Sequence, residues 1–190
     1  MSDSDSRAAA GTAEGQGPVE IDEEIARHLE NKREELFEKF DIRDAFPPSV
    51  LEEAERRTEE VQAEIEAEID DRRDLRDKIT WTTDPIDAQD FDDALSIEES
   101  EDAYHLWVHI ADVTHYVHPD TEMWNEALQR GNTVYLPAYT VHMLPEILAE
   151  TVCSLVPGED RLAHTVEMTI DRDTLSFEEV DIYKSVIKSD

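Results

Sequence analysis

The sequence predicts an α+β fold: an N-terminal helical arm followed by part of a mixed-sheet domain with packed helices. Three observations carry this. Up to about Asp74 the apolar residues recur at helical spacing, after Lys78 their period falls to two in six separate segments, and two helical patterns lie between those segments. The length of 190 residues suits one compact domain with additions.

In order along the chain, residues 1–17 are mostly Ser, Asp, Ala and Gly without periodicity, which predicts a disordered acidic tail. Residues 18–75 read as a helical region. Ile21, Ile25, Leu29, Leu36 and Phe40 keep helical spacing between Val19 and about Phe46, where Pro47 and Pro48 stop the pattern. Ser49 is the expected N-cap of a second helix from Val50 to about Asp74. Its narrow apolar stripe is Leu51, Ala54, Val61, Ile65 and Ile69, and Glu52/Arg56 and Glu53/Arg57 stand at i, i+4. A helical hairpin, a short antiparallel coiled coil and a docking arm all suit this pair, and no function rests on it. Residues 76–190 form the second region. Strands are expected at 79–84, 94–99, 103–113, 133–141, 162–171 and 178–187, with helices at 120–130 and 145–155.

Composition excludes several classes of protein. No apolar run approaches the roughly 20 residues that cross a bilayer, and the N-terminus lacks the basic and apolar regions of a signal peptide, so a cytoplasmic protein without membrane contact is expected. A single cysteine, Cys153, can make neither an internal disulfide nor a cysteine-based zinc site. The formal charge is −32, from 49 Asp+Glu against 17 Lys+Arg. Acid is not confined to a tail, because the strand-rich stretch after Lys78 holds 24 acidic and 5 basic residues. Arg also outnumbers Lys 12 to 5. This pattern is expected of a protein adapted to molar salt, where the Debye length shrinks to about 3 Å and like charges are screened.

The most informative stretch is Asp84-Pro85-Ile86-Asp87-Ala88-Gln89-Asp90-Phe91-Asp92-Asp93, which packs five aspartates into ten residues between two β-like segments. Burying several unpaired carboxylates there is prohibitive without a compensating cation. Oxygen-only ligands select hard cations such as Mg²⁺ or Mn²⁺, and such ions serve in-line phosphoryl displacement. A calcium loop of the EF-hand type is a poor match, since its glycine and glutamate positions hold Gln89 and Leu95. Plain halophilic surface acid remains the rival, and spacing alone does not separate it from a metal site.

The residues then go beyond generic acid. Asp74-Leu75-Arg76-Asp77, Thr83-Asp84-Pro85 and Asp87-Ala88-Gln89-Asp90-Phe91-Asp92-Asp93-Ala94 closely resemble the catalytic-domain entry of the ribonuclease II/ribonuclease R (RNB) family. Trp107-Val108-His109-Ile110-Ala111-Asp112-Val113, Val134-Tyr135-Leu136-Pro137, Met143-Leu144-Pro145-Glu146 and Cys153-Ser154-Leu155 continue the resemblance in the family's order, over about residues 74–190. The acidity points to a halophilic archaeal type. The resemblance implies 3′-to-5′ hydrolysis of single-stranded RNA to nucleoside 5′-monophosphates, with no DNA partner and with a monomeric enzyme. It implies that Asp84, Asp90, Asp92 and Asp93 are catalytic and hold Mg²⁺, with Mn²⁺ as a substitute. Tyr135 matches the aromatic that contacts the terminal nucleotide, which suits stacking on any base; a strand aromatic of the core is the other reading. Asp87 is expected to be a turn residue, and His109 and Asp112 to be structural. Cys153 is expected to be a small core residue.

Two departures qualify the resemblance. The family's catalytic domain continues past the matching stretch, with a later acidic residue and an arginine, so the catalytic domain at 76–190 is expected to be incomplete at its C-terminus. Upstream, 18–75 reads as helical, where bacterial relatives carry β-barrel RNA-binding domains. The alternative function is therefore a truncated or degenerate RNB-like module that binds RNA without cleaving it.

Overall fold

A computed structural model of the chain describes residues 23–85, 88–136 and 139–190. The disordered tail, the start of the first helix and the turn role of Asp87 lie outside the described residues. The described residues fall into two units, divided after Asp41. In the first, α1 spans Glu23–Phe40. It stops six residues before the expected Phe46, because Asp41 turns the backbone left-handed at φ 52, a conformation that ends a helix and that Asp tolerates better than most residues.

The second unit opens with α2, Pro48–Glu68. Its N-cap is Pro47 rather than the expected Ser49: Pro48 sits in the first turn, where its missing N–H costs nothing, so Ser49 is already inside the helix. The helix also ends before Asp74. A 3₁₀ turn, Ile69–Asp71, leads into a short strand β1, Arg73–Asp74. Of the expected stripe, Ala54 and Ile65 are buried and Val61 and Ile69 pack against the core, whereas Leu51 is exposed. The expected Glu53/Arg57 pair gives way to longer-range bonds. Glu53 accepts the Met123 N–H at 3.0 Å, and Arg57 donates to Glu64 at 2.8 Å.

Four long strands follow: β2 (Asp93–Glu99), β3 (Ala103–Ala111), β6 (Asp160–Asp171) and β7 (Phe177–Lys188). With β1 they make one sheet in the order β1-β7-β6-β3-β2, in which β1 runs parallel to β7 and the other neighbours are antiparallel. Between β3 and β6 the chain forms α3 (Val113–Tyr116), α4 (Glu122–Arg130), the paired strands β4 (Val134–Leu136) and β5 (Tyr139–Val141), and a π-helical turn, Leu148–Val152. The Thr121 hydroxyl caps α4 by accepting the Trp124 N–H, and Gly131 ends it at φ 77.

Three expected elements differ in form. The strand at 133–141 is two short antiparallel strands, with Leu136 facing Tyr139. The helix at 145–155 is shortened to 146–152, two α-helical residues running into the π-helical Leu148–Val152. The strand at 79–84 makes a single bridge, Trp81 with Leu95, because its polar groups are divided between two neighbours: Thr80 bonds Asp190 and Trp81 bonds Leu95.

The core joins α2, the sheet and the turn through Ile65, Trp107, Tyr116, Met123, Leu148, Leu155, Leu162 and Val186. Polar groups also run through it. Thr80, Ser96, His109, Thr165 and Ser185 form a buried chain with contacts of 2.7, 3.0, 2.8 and 2.6 Å. Hydroxyls and a neutral imidazole can each donate and accept, so no member is left unpaired, and the register of β2 on β3 is pinned where β2 leaves the aspartate loop.

Candidate active site

The aspartate-rich segment is a loop whose backbone is tied to its surroundings at several points. Ala88 N–H closes a turn on the Pro85 carbonyl at 3.0 Å, the Phe91 carbonyl accepts from Leu155 at 2.9 Å, and the Asp92 carbonyl accepts from Ala111 at 3.0 Å. Phe91 packs against the core. Anchored in this way, the loop lines a cleft of about 660 Å³ with Asp84, Gln89, Asp90, Asp92 and Asp93. Tyr135 and Thr140 from the β4–β5 pair, His142, Glu146 and Glu150 complete the wall.

The structure therefore brings together all five residues singled out in the sequence. The Tyr135 hydroxyl donates to Asp90 at 3.1 Å, and the ring is 68% exposed, which excludes the reading of Tyr135 as a core aromatic. Partial desolvation, the Asp90 hydrogen bond and the Asp90 and Asp92 charges all raise the Tyr135 phenol above its ordinary range. Asp92 keeps part of its surface in solvent, yet its carboxyl is also pushed up, first by desolvation and then by Asp90, Asp93 and Asp84. Glu150 is raised by desolvation and by Glu146 and Asp90, against an opposing pull from His142.

Whether these residues suit a divalent cation can be judged from their chemistry. One carboxylate oxygen of Asp84 is buried and has no hydrogen-bond partner, which is costly unless a cation compensates it. The donors at the loop are oxygens alone, as hard cations require. Asp92 is destabilised as an anion by three neighbouring carboxylates, an imbalance that positive charge relieves. The set fits Mg²⁺ or Mn²⁺. Among the described residues no three His, Cys, Asp or Glu side chains are clustered closely enough to enclose an ion, so the aspartates stand around the wall, where mutual repulsion opposes tighter convergence.

The remaining candidates lie elsewhere. His109 is fully buried between Ser96 and Thr165, and Asp112 is buried against Arg72 at 2.7 Å, so both are framework groups. Cys153 is a buried thiol whose pKa burial pushes up to about 12. Sequence reasoning gave no role to Gln89, His142, Glu146 or Glu150. Glu146 and Glu150 do carry a signal, an i, i+4 acidic pair after a proline, whereas His142 has none, since β5 alone brings it to the cleft.

The RNB domain model matches residues 72–190. The chain belongs to the RNB family. The chain is similar to ribonuclease R of Aquifex aeolicus, at 46% identity over 155 residues that span 81% of this chain and 21% of that protein. Ribonuclease R of Thermotoga maritima is 46% identical over 145 residues, covering 76% of this chain and 20% of its own. The chain thus spans about a fifth of the length of these relatives. Among solved structures, Mycoplasma genitalium RNase R in complex with double-stranded RNA superposes with a TM-score of 0.74 at 28% identity, over 85% of this chain and 28% of that one. Yeast Ssd1, described as a pseudonuclease, shares the RNB fold at a TM-score of 0.60 and 22% identity over 65% of this chain and 15% of its own.

Proposed function

We propose that this chain carries the metal-bearing part of a 3′-to-5′ exoribonuclease that hydrolyses single-stranded RNA to nucleoside 5′-monophosphates. The observation that carries the reading is the meeting, in one cleft, of four aspartates from a single loop with an exposed tyrosine bonded to one of them. Membership of the RNB family and similarity to ribonucleases R support it. So does similarity to an RNase R structure in complex with ribose-methylated single-stranded RNA.

Asp84, Asp90, Asp92 and Asp93 would hold Mg²⁺, or Mn²⁺ in its place. Bound there, the cation supplies charge compensation for the phosphodiester and acidifies water. The protein's own contribution is positioning. Tyr135 offers a ring face to a base while its hydroxyl is tethered to Asp90, so the base-contacting group and the carboxylates are set relative to each other. With 24 acidic residues against 5 basic ones after Lys78, RNA is held by the cleft and by stacking more than by a basic funnel. A net charge of −32 favours a monomer and suits a salt-rich cytoplasm, and the family match over residues 72–190 supports 76–190 as the catalytic portion.

The test incubates the protein in molar KCl and Mg²⁺ with 5′-labelled unstructured RNA and, separately, with DNA of the same sequence. Progressive shortening of the RNA alone is expected, abolished by EDTA and reduced about 100-fold or more by Asp92→Asn. Folded protein that binds RNA without shortening it would replace this reading with the non-cleaving RNA-binding module.

A further inference from the structure

The Cys153-Ser154-Leu155 motif supplies no residue to the cleft wall, yet it touches the aspartate loop on both sides of Asp90. Ser154 is fully buried. Its hydroxyl accepts the Phe91 N–H at 3.0 Å and donates to the Gln89 carbonyl at 2.9 Å. One side chain therefore bonds the two peptide groups that flank Asp90. The next residue adds a third bond, from Leu155 N–H to the Phe91 carbonyl at 2.9 Å.

Ser154 is itself held from behind. Arg161 donates from Nε to the Ser154 carbonyl and from its terminal nitrogens to the Thr151 and Asp160 carbonyls, each at 2.9 Å. Desolvation on burial lowers the Arg161 pKa, against opposing pulls from Glu159 and Asp160. A loop carrying several carboxylates has an electrostatic tendency to spread, and the bonds at Ser154 oppose it where Asp90 and Asp92 enter the cleft. The Ser154 hydroxyl is no nucleophile. It is buried, engaged at both its donor and an acceptor site, and absent from the cleft wall.

We infer that Ser154 is a positioning residue, which sets Asp90 and Asp92 for cation binding through the backbone of Gln89 and Phe91. The inference rests on the proposed reading of the cleft as a metal site. Groups that orient metal ligands without touching the metal typically change affinity 10–100-fold when lost. Truncation to alanine also takes from the part-buried Phe91 N–H and Gln89 carbonyl the hydroxyl they share, which favours local loosening of the loop.

The experiment uses the full chain, with Mn²⁺ as the probe followed by electron paramagnetic resonance, and hydrogen exchange read at the Phe91 amide. Ser154→Ala is expected to weaken Mn²⁺ binding about 10-fold or more and to speed Phe91 exchange about 10-fold, with the circular dichroism of the fold retained. Ser154→Cys fills the same space with a weak hydrogen-bonding group and is expected to fall between, which keeps the test open should the alanine variant not fold. Ser185→Ala, which removes a buried hydroxyl from the sheet, is expected to leave both readouts at wild-type values. Wild-type Mn²⁺ affinity in Ser154→Ala, or equal losses in Ser185→Ala, would overturn the inference and leave the metal site standing. No Mn²⁺ binding by the wild-type protein would overturn both.

Discussion

At the scale of single residues, burial decides what a titratable group can do. His109 has no exposed surface, and desolvation, helped by the Lys78 charge, lowers its pKa to about 4. Both ring nitrogens meet hydroxyls, so the neutral ring is fully bonded. The pH effect follows from the sign of the shift. An unfolded histidine takes up its proton near pH 6.5 and the folded one only near 4, so the stability that His109 contributes is complete above about 6.5 and is lost as the pH falls toward 4. The difference is about 3 kcal/mol. Urea unfolding at pH 7 and at pH 4.5 is expected to show this loss in the wild type and not in His109→Gln, and an imidazole that titrates near 6.5 by NMR would contradict it. Much at this scale was legible in the sequence. The aspartates stood out because they replace apolar filler between strands, and Tyr135 because it falls in a motif. What sequence could not show is how the loop is held, since Ser154 lies 63 residues beyond Phe91 and neither announces the other.

At the scale of elements, period and punctuation gave the four long strands of the sheet and α4, and failed where two signals compete. Two adjacent prolines read as a stop, whereas the second of them starts α2. Period also gave a helix at 145–155 but not its shortness or its π-helical form at Leu148–Val152. Nor does alternation tell which face of a strand will be covered. Ile97, Ile110, Val180 and Ile182 are as apolar as the core yet are 44–67% exposed. A buried ion pair that couples distant segments was equally hidden. Arg72, just after α2, donates to Asp112 at the end of β3 at 2.7 Å, with both side chains fully buried, and Asp112 also accepts from Thr114 and meets His164 at 3.2 Å. Burial alone would raise the Asp112 pKa; the bonds from Arg72 and Thr114 and the Arg72 charge outweigh it and hold the carboxyl below its usual range. Removing one partner strands a buried charge, so Arg72→Met is expected to cost about 3–5 kcal/mol in denaturant unfolding. Adding Asp112→Leu removes the stranded charge and is expected to recover much of that loss, a non-additivity that a double-mutant cycle reads directly.

At the scale of the whole molecule, the question is how a chain of formal charge −32 holds together. Its few cations are used locally. Arg73 meets Glu167 and Asp181, Arg76 meets Asp74 and Asp160, Lys78 meets Glu98, and Arg130 bonds Glu126 and three backbone carbonyls while lying over the Phe46 ring. Among the described residues many of the other carboxylates form none of these ion pairs, and their repulsion acts over the Debye length, about 10 Å at 0.1 M salt and about 3 Å at 1 M. Folding concentrates these charges and unfolding disperses them, so salt should favour the folded state most steeply below about 1 M and level off once the Debye length is shorter than the spacing of neighbouring charges. If screening returns on the order of 3 kcal/mol, the melting temperature rises by roughly 10 °C between 0.1 and 2 M KCl. Choline chloride at equal ionic strength is expected to act alike, because the effect is one of ionic strength and not of a bound potassium ion. A melting temperature flat in KCl would mean that the acidic surface is already compensated at low salt, and would remove the argument for a protein built for brine. A rise confined to potassium would instead point to specific cation sites among the carboxylates, with the aspartate cleft as the first place to look.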